Sequence, residues 1–546
     1  MKGADILIEC LKSQGVRSVF GMPGTQNNLI YDALLRCGDG VIDHYLVRHE
    51  WAATKMADGC ARAGGDVGVA LTVPGPGASN AATGILEAYS DCVPVLLITG
   101  QSDSKFYSKD QSKMFHGLDQ MRFFEPCTKY CAVVRKVEDI PGAIEKAFHE
   151  MRTGRPGPVV LEFPSDVVGS EADVVIPPRI KRTKGPAPKP NDIRSMAEIL
   201  KRSKMPVLFA GSAVVSAGAC GLLLQLAEKL NAPVAVSRRA KGALPEDHPL
   251  AIRNSYGFLA GQAFQRADCT LVIGVRFTSV DSSCWSIDFP RPMIQIEEDT
   301  REIGREYACD FSVAADLKLT LEALIEAVDE REDVWTPALE EYRKKFNAQP
   351  PLPLLPEIRE VLPEDGIISV DVCSLGYASF AEYPIYRPET FLYPCIAVSL
   401  GYAFPAAIGA KVACPDKPVV CFIGDGGFMM GAAELSTAMK YGINVVTVVV
   451  NDGALGAIRG SQKKGFEGRT IGTELHNPDF LQFAESFGAY TARVEDLSDF
   501  KTTLHNALAA DRPALIEVPM HDRQEELVTY IDWLHSEPLR LSLIHI

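Results

Sequence analysis

The chain has no apolar run approaching the roughly 20 residues that a membrane-crossing helix needs. Its amphipathic opening, MKGADILIECLKSQGV, also lacks the apolar stretch of a secretion signal. No membrane association is expected, and the cytoplasm is the expected location. Basic residues are in deficit, with 55 Lys and Arg against 70 Asp and Glu, a net charge of -15. Nucleic acid and anionic membrane surfaces both select a basic face, so neither is an expected partner. No Cys-x-x-Cys pair occurs among the 14 cysteines, and most, such as Cys269, Cys395 and Cys421, sit in apolar segments and read as small core residues. Cys127 and Cys131 are followed by no His or Cys pair at metal-binding spacing. Short internal repeats and low-complexity tracts are absent as well.

What is present suits a large globular protein. The 546 residues, 47% hydrophobic and 23% charged, suggest about three domains, each able to bury a core. Two proline-rich stretches read as linkers: Glu171 to Asn191, containing IPPRIKRTKGPAPKPN, and Asn347 to Pro356, NAQPPLPLLP. They divide the chain into expected domains at residues 1–170, 191–346 and 357–525. Each contains short β-branched runs alternating with helical patterns, for example VGVALTV and VPVLLIT, then MPVLFAG and CTLVIGV, then PVVCFIG and NVVTVVV. The fold class is therefore α/β, with three doubly wound parallel sheets.

The most informative stretch runs from Gly424 to Asp452. It reads as a strand, a Gly-Asp-Gly turn, a helix and a second strand ending in Asn451-Asp452. Both strands of a parallel βαβ unit end on one edge of the sheet, so Asp425 and Asp452 converge. Gly424, Gly426 and Gly427 let the backbone approach a ligand, and N–H groups at the start of the helix favour a phosphate. Magnesium suits this place, because it is usually held by one or two carboxylates plus substrate phosphates. A backbone carbonyl at Ala454 is a natural further ligand. The plainer reading is a surface βα turn, where Asp and Gly are common.

A second constellation lies near the amino terminus. The strand-like HYLV leads through Arg48-His49-Glu50 into the helix-forming WAATKMADGCARA, so Glu50 stands where a strand enters a helix. Taken alone, it is a first-turn acid stabilised by the helix dipole.

Together the two constellations resemble the thiamine diphosphate enzymes, whose diphosphate signature is Gly-Asp-Gly followed at this spacing by Asn-Asn. Asp452 stands in place of the second Asn, keeping an oxygen ligand but adding negative charge beside the diphosphate. The resemblance implies that Glu50, in its His-Glu-x-Ala-Ala setting, binds the pyrimidine nitrogen of the cofactor. A desolvated carboxyl sharing a proton there shifts the ring to its imino tautomer, whose exocyclic nitrogen deprotonates the thiazolium carbon. Trp51, Ala52 and Ala53 are expected to help bury it. Further phrases are similar to the acetolactate synthase group. FGMPGT places Thr25 near the reacting atoms, and TVPGPGASNAATGI, with Gly75, Gly77 and Asn80, resembles a loop close to the cofactor. His116 stands close to where that group carries Gln, and suits either proton relay or a plain loop position. In YPCIAVSLGYAFPAAIGA, Leu400 matches the apolar wedge between the two cofactor rings. Ser374 and Gly376 in VDVCSLGYAS are candidates for diphosphate contact.

The middle segment resembles a domain that holds FAD in some relatives and ADP in others. Arg276 is followed by Thr278 and Ser279 where flavin-binding relatives carry acids, so FAD is allowed but not indicated. The resemblance spans about residues 1 to 525, and the tail from Asp532 to Ile546 matches nothing. It implies carboligation with decarboxylation of 2-oxo acids, using thiamine diphosphate and Mg2+. A 2-oxo acid decarboxylase or aldehyde lyase is the alternative, as is a catalytically silent homologue with a regulatory role. Small 2-oxo acids or aldehydes are the expected substrates, and a homodimer or homotetramer the expected assembly.

Overall fold

The computed structural model describes residues 1–347 and 352–521. Residues 348–351 of the second proline-rich stretch, residues 522–525 and the tail from Asp532 to Ile546 lie outside the described residues.

Every strand pair among the described residues is parallel, in three separate sheets. The first holds β1 (Ser18–Gly21), β2 (Asp43–Leu46), β3 (Gly68–Thr72), β4 (Val95–Gln101), β5 (Tyr130–Val133) and β6 (Val159–Pro164) in the order β2-β1-β3-β4-β6-β5. The second holds β7 (Pro206–Ala210), β8 (Val234–Val236), β9 (Cys269–Ile273), β10 (Met293–Glu297) and β11 (Phe311–Ala314) in the order β11-β10-β9-β7-β8. The third holds β12 (Ile367–Val370), β13 (Phe391–Leu392), β14 (Val419–Gly424), β15 (Val445–Asn451), β16 (Tyr490–Arg493) and β17 (Ala514–Pro519) in the order β13-β12-β14-β15-β17-β16. Adding eleven to each strand number of the first sheet gives the third. The two sheets thus share one topology, a repeat written in strand order that leaves no repeated wording in the sequence.

Central strands such as β4 and β15 are buried along their whole length. Helices cover both faces of a parallel sheet, so its inner strands tolerate unbroken β-branched runs, and NVVTVVV is such a run. Between Gly169 and Pro190 the chain makes no strand or long helix. It is nevertheless pinned: the Ile180 N–H donates to Gln14 at 2.9 Å, and Arg152 donates to the Ile180 carbonyl at 2.8 Å.

The helix Glu50–Gly64 begins at His49, whose ring Nδ1 accepts from the Trp51 N–H at 3.2 Å, and stops at Gly65, where the chain turns left-handed. It packs against the helix Ala403–Ala413, so the first and third sheets share one apolar core in which Ala52, Ala53 and Met56 meet Ala403, Phe404 and Ala407. The middle sheet has its own core. The two helices cross almost backbone to backbone. A Cβ at Gly59 would stand 2.1 Å from the Ala406 carbonyl oxygen, and one at Gly409 only 1.9 Å from that of Met56. Such a crossing accepts no side chain at either point. Gly409→Ala is expected to destabilise the protein by roughly 1–3 kcal/mol through overpacking, read as a lower urea midpoint with an unchanged slope.

Candidate active site

Two groups of residues gather at carboxyl ends of parallel strands, the edge where open α/β sheets bind ligands. In the first sheet, Glu50 opens its helix just beyond β2 and is 9% exposed. Its carboxylate accepts from Asn80 Nδ2 at 3.0 Å. A Cβ at Gly77 would come 3.2 Å from Glu50 Oε1 and 2.7 Å from Val73, so the glycine keeps the space around the carboxylate open. The Trp51 ring, expected to help bury Glu50, lies against Gly401 and Gly431. Ala52 and Ala53 are buried.

Thr25 follows β1 on an exposed turn. The turn is fixed because Gly24 N–H donates to Asn27 Oδ1 at 2.8 Å and Asn27 Nδ2 donates to the Met22 carbonyl at 3.3 Å. His116 has a left-handed backbone, φ 55°, and its carbonyl oxygen would lie 2.6 Å from a Cβ at Gly75. Gly75, itself at φ 59°, is the residue that lets this segment close over the first sheet. His116 is half-buried, and its Nδ1 is buried with no hydrogen-bond partner among the described residues. Glu50, Gly77 and Asn80 are thus brought together, and His116 is placed on Gly75.

In the third sheet, Asp425 follows β14 and Asp452 follows β15, with Gly424, Gly426 and Gly427 forming the turn around Asp425. Burial raises the Asp425 carboxyl above its ordinary range. Asp452 is pushed up to about 6, first by burial and then by the charge of Asp425. The effect of Asp425 on Asp452 marks two carboxylates near one space. Asp452 accepts from the Ala454 N–H at 3.2 Å and lies 3.6 Å from Arg459. A Cβ at Gly456 would meet Asp452 Oδ2 at 2.3 Å and Ser374 Oγ at 3.5 Å, which places Ser374 beside the acidic pair. The Gly376 N–H donates to Cys373 Sγ at 3.3 Å at the start of the same helix. Leu400 is half-buried on the loop before Ala403, and its carbonyl accepts from Lys55 at 3.3 Å. Two carboxylates with a neighbouring hydroxyl are oxygen donors of the kind that fits a hard divalent cation and a diphosphate. Among the described residues no group of three His, Cys, Asp or Glu that could hold a metal converges.

Three contributors escaped the sequence reading. Asn477 Nδ2 donates to Asp425 at 2.6 Å and to Asn451 Oδ1 at 3.1 Å, tying both strand ends together. Its only sequence mark is its place just before the cap Pro478-Asp479, which says nothing of where the amide points. Glu434 accepts from the backbone N–H groups of Arg48 at 2.9 Å and His49 at 3.1 Å, so the third sheet's unit fixes the approach to Glu50. Asp371 follows β12 as Asp425 follows β14, a parallel the sequence shows but does not explain.

A further cavity of about 720 Å3 lies between the first and middle sheets, lined by Arg152, Arg155, Arg182 and Arg276 among others. Arg276 donates to the Ser90 carbonyl at 2.7 Å, and Thr278 to Asp281 at 2.7 Å.

A three-sheet chain with an acidic pair beyond one sheet and a buried Glu beyond another suits a thiamine diphosphate enzyme, and the chain belongs to that family. The patterns described as "Thiamine pyrophosphate enzyme" N-terminal TPP binding domain, central domain and C-terminal TPP binding domain match residues 1–123, 193–324 and 372–518. Within the family it is similar to acetolactate synthase large subunits. A probable acetolactate synthase large subunit of Methanocaldococcus jannaschii is 35% identical, covering 95% of this chain and 92% of that protein. The acetolactate synthase isozyme 3 large subunit of Escherichia coli is 32% identical over 93% of this chain and 92% of its own length. The Lactococcus lactis large subunit is 31% identical over 98% and 96%. The cofactor is thiamine diphosphate, and FAD is not indicated. No helix among the described residues is long and apolar enough to cross a membrane.

Because the folded carboxyl of Asp452 is raised from 3.8 to about 6, the folded state holds that proton more tightly than the unfolded one. The resulting penalty is absent below pH 4 and complete above pH 6. In metal-free protein, Asp452→Asn is expected to add roughly 1–3 kcal/mol at pH 8 and nothing at pH 4, measured as the shift in melting temperature at the two pH values.

Proposed function

We propose that the protein joins two 2-oxo acid molecules with loss of carbon dioxide, as an acetolactate synthase, using thiamine diphosphate held by Mg2+. The observation that carries this reading is the pairing of a buried, Asn80-bonded Glu50 with the Asp425–Asp452 pair in a chain about one-third identical to acetolactate synthase large subunits over nearly its whole length. When bound, thiamine diphosphate supplies the carbon nucleophile that attacks the ketone and the sink for the electron pair left by departing carbon dioxide.

The chain's own residues bind, orient and move protons. Asp425, Asp452 and the Ala454 carbonyl hold the cation, while Ser374, Gly376, Gly424, Gly426 and Gly427 surround the diphosphate. Asn80 fixes one oxygen of the Glu50 carboxyl group and leaves the other to face the pyrimidine nitrogen, where it would exchange a proton. Gly75 keeps the chain of His116 close over this edge, and the open space at Gly77 admits the ring. Leu400 would serve as the apolar wedge between the two rings of the cofactor. Thr25 and His116 border the space left for the substrate, with the unpartnered His116 Nδ1 available to relay a proton to the second carbonyl. Glu50 and the acidic pair belong to different sheets, and a partner subunit completes the site. The assembly is a homodimer or a dimer of dimers, and an isolated monomer is inactive. The boundaries at 1–170, 191–346 and 357–525 are kept as the domain division, and the cytoplasm as the location.

Purified protein incubated with pyruvate, thiamine diphosphate and Mg2+ is expected to form acetolactate, assayed as acetoin. Acetaldehyde without acetoin would assign a decarboxylase instead. Cofactor binding with no turnover of 2-oxo acids or 2-hydroxy ketones would mark a silent regulatory homologue. Glu50→Gln is expected to lower kcat by about 10²–10⁴ with the cofactor still bound in calorimetry, and an unchanged kcat refutes its role.

The metal takes the carboxylate form of Asp452, which is lost as pH falls through about 6. Mg2+ affinity is therefore expected to weaken by about tenfold per unit below that point. Titration calorimetry at pH 5 and pH 7.5 reads this directly, and equal affinities would remove Asp452 from the ligand set.

A further inference from the structure

The loop that carries Leu400 is held by buried charges rather than by regular structure. Ser399 N–H donates to Glu87 Oε2 at 3.1 Å, and the Leu400 carbonyl accepts from Lys55 Nζ at 3.3 Å. Gly401 and Ala403 N–H groups donate to the two oxygens of Asp371 at 3.0 Å and 2.7 Å. Lys55, Glu87 and Asp371 are each 0% exposed. Lys55 also sits 3.9 Å over the Trp51 ring, a favourable place for a cation. Further along the same two helices, Arg62 donates to the Tyr393 carbonyl at 3.0 Å and Asp91 accepts from the Cys395 N–H at 2.9 Å.

The backbone of this loop is strained. Val398 has φ 52°, a left-handed conformation that is an outlier for a β-branched residue, and Gly401 follows at φ 76°. Strain of this kind persists only where the surroundings over-determine it. Four charge-assisted bonds within five residues do so here, and because water cannot reach the buried ions, an ion released from its bond has no substitute partner. Burial lowers Lys55 and raises Glu87 and Asp371 from their ordinary ranges; the two carboxyls support the charge of Lys55, Lys55 supports that of Asp371, and Arg62 and Ser399 support that of Glu87.

We propose that Lys55, Glu87 and Asp371 are positioning residues that fix the backbone of residues 399–403, and through it Leu400, before any cofactor arrives. Lys55 and Glu87 come from the unit that carries Glu50 and act on the unit that carries the acidic pair. The placing of Leu400 is therefore a property of both units of one chain. This inference rests on the reading of Leu400 as the wedge, and its test separates the two.

The first measurement needs no activity. In cofactor-free protein, hydrogen exchange of peptides covering residues 396–403 is expected to be at least about tenfold faster in Glu87→Ala than in the unaltered chain. Glu87→Gln, which keeps an acceptor for Ser399, is expected to restore most of the protection. Equal exchange in Glu87→Ala, or no recovery in Glu87→Gln, overturns the cradle.

The second measurement is a double-mutant cycle of Lys55→Met and Leu400→Ala, with melting temperature as the folding control. Lys55→Met is expected to lower kcat about tenfold or more, because a small misplacement of a positioning group is costly, while moving the dissociation constant of thiamine diphosphate far less. The double variant is expected to be no slower than Leu400→Ala alone. Fully multiplicative losses overturn the proposal. Unaltered kcat in Leu400→Ala overturns the wedge reading and the cycle with it, leaving the exchange result to judge the cradle alone.

Discussion

The crossing of the helices Glu50–Gly64 and Ala403–Ala413 is the contact on which the rest depends. It is so close that Gly59 and Gly409 each face a carbonyl of the other helix. The same crossing removes Lys55, Asp58, Arg62, Glu87, Asp91 and Asp371 from water. Buried ions are tolerated when each is paired and hydrogen-bonded. Arg62 meets Asp58 at 2.6 Å and Asp91 at 2.8 Å, and the Tyr402 hydroxyl donates to Asp58 at 2.5 Å. Such a network tolerates one register well and its neighbours poorly, since a slip of one residue strands several charges. The entrance to Glu50, the loop of Leu400 and the ends of β12 and β14 all take their places from it.

The first and third sheets share a strand order, and they carry their polar residues at corresponding edges. Thr25 follows β1 as Asp371 follows β12, the loop of Gly75 follows β3 as Asp425 follows β14, and Asp452 follows β15. In parallel sheets the strand ends leave unpaired backbone groups and open crevices on a single edge, so ligand contacts accumulate there. Under the proposed function, one such edge takes the ring of the cofactor and the other its diphosphate and cation. The middle sheet, with a core of its own, contributes a cavity lined by charges of both signs at its border with the first.

Asp452 in place of Asn changes the electrostatics of the acidic pair. Without a cation, burial and the charge of Asp425 raise the proton affinity of Asp452, and Arg459 at 3.6 Å only partly offsets this. With a divalent cation between them the same charges become attractive, so stability and metal binding are linked through one residue. Asn477 gives the pair a second support, since it bonds to Asp425 and to the side chain of Asn451, which in turn donates to Glu517 at 2.7 Å.

Parallel three-sheet architecture was legible because it depends on local patterns: β-branched runs of strand length, helical stretches between them, and Gly-Asp or His-Glu at the strand ends. The convergence of Asp425 with Asp452 was legible for the same reason, since right-handed parallel crossovers bring consecutive strand ends to one edge whatever the helix between them contains. Half-burial of most cysteines was not: only Cys10, Cys269, Cys395 and Cys421 are buried, because membership of an apolar run does not fix which face a residue takes.

What only the tertiary structure decided are contacts between residues far apart in the chain. Nothing in the sequence around Lys55, Arg62, Glu87 and Asp91 distinguishes them from helix-surface charges; the close crossing at two glycines is what shuts water out. Asn477 and Glu434 gained their partners the same way. A strand end or a turn is set by its neighbours in sequence. The partner of a buried charge is set by which surfaces meet, and that geometry exists only once the separate sheets have packed.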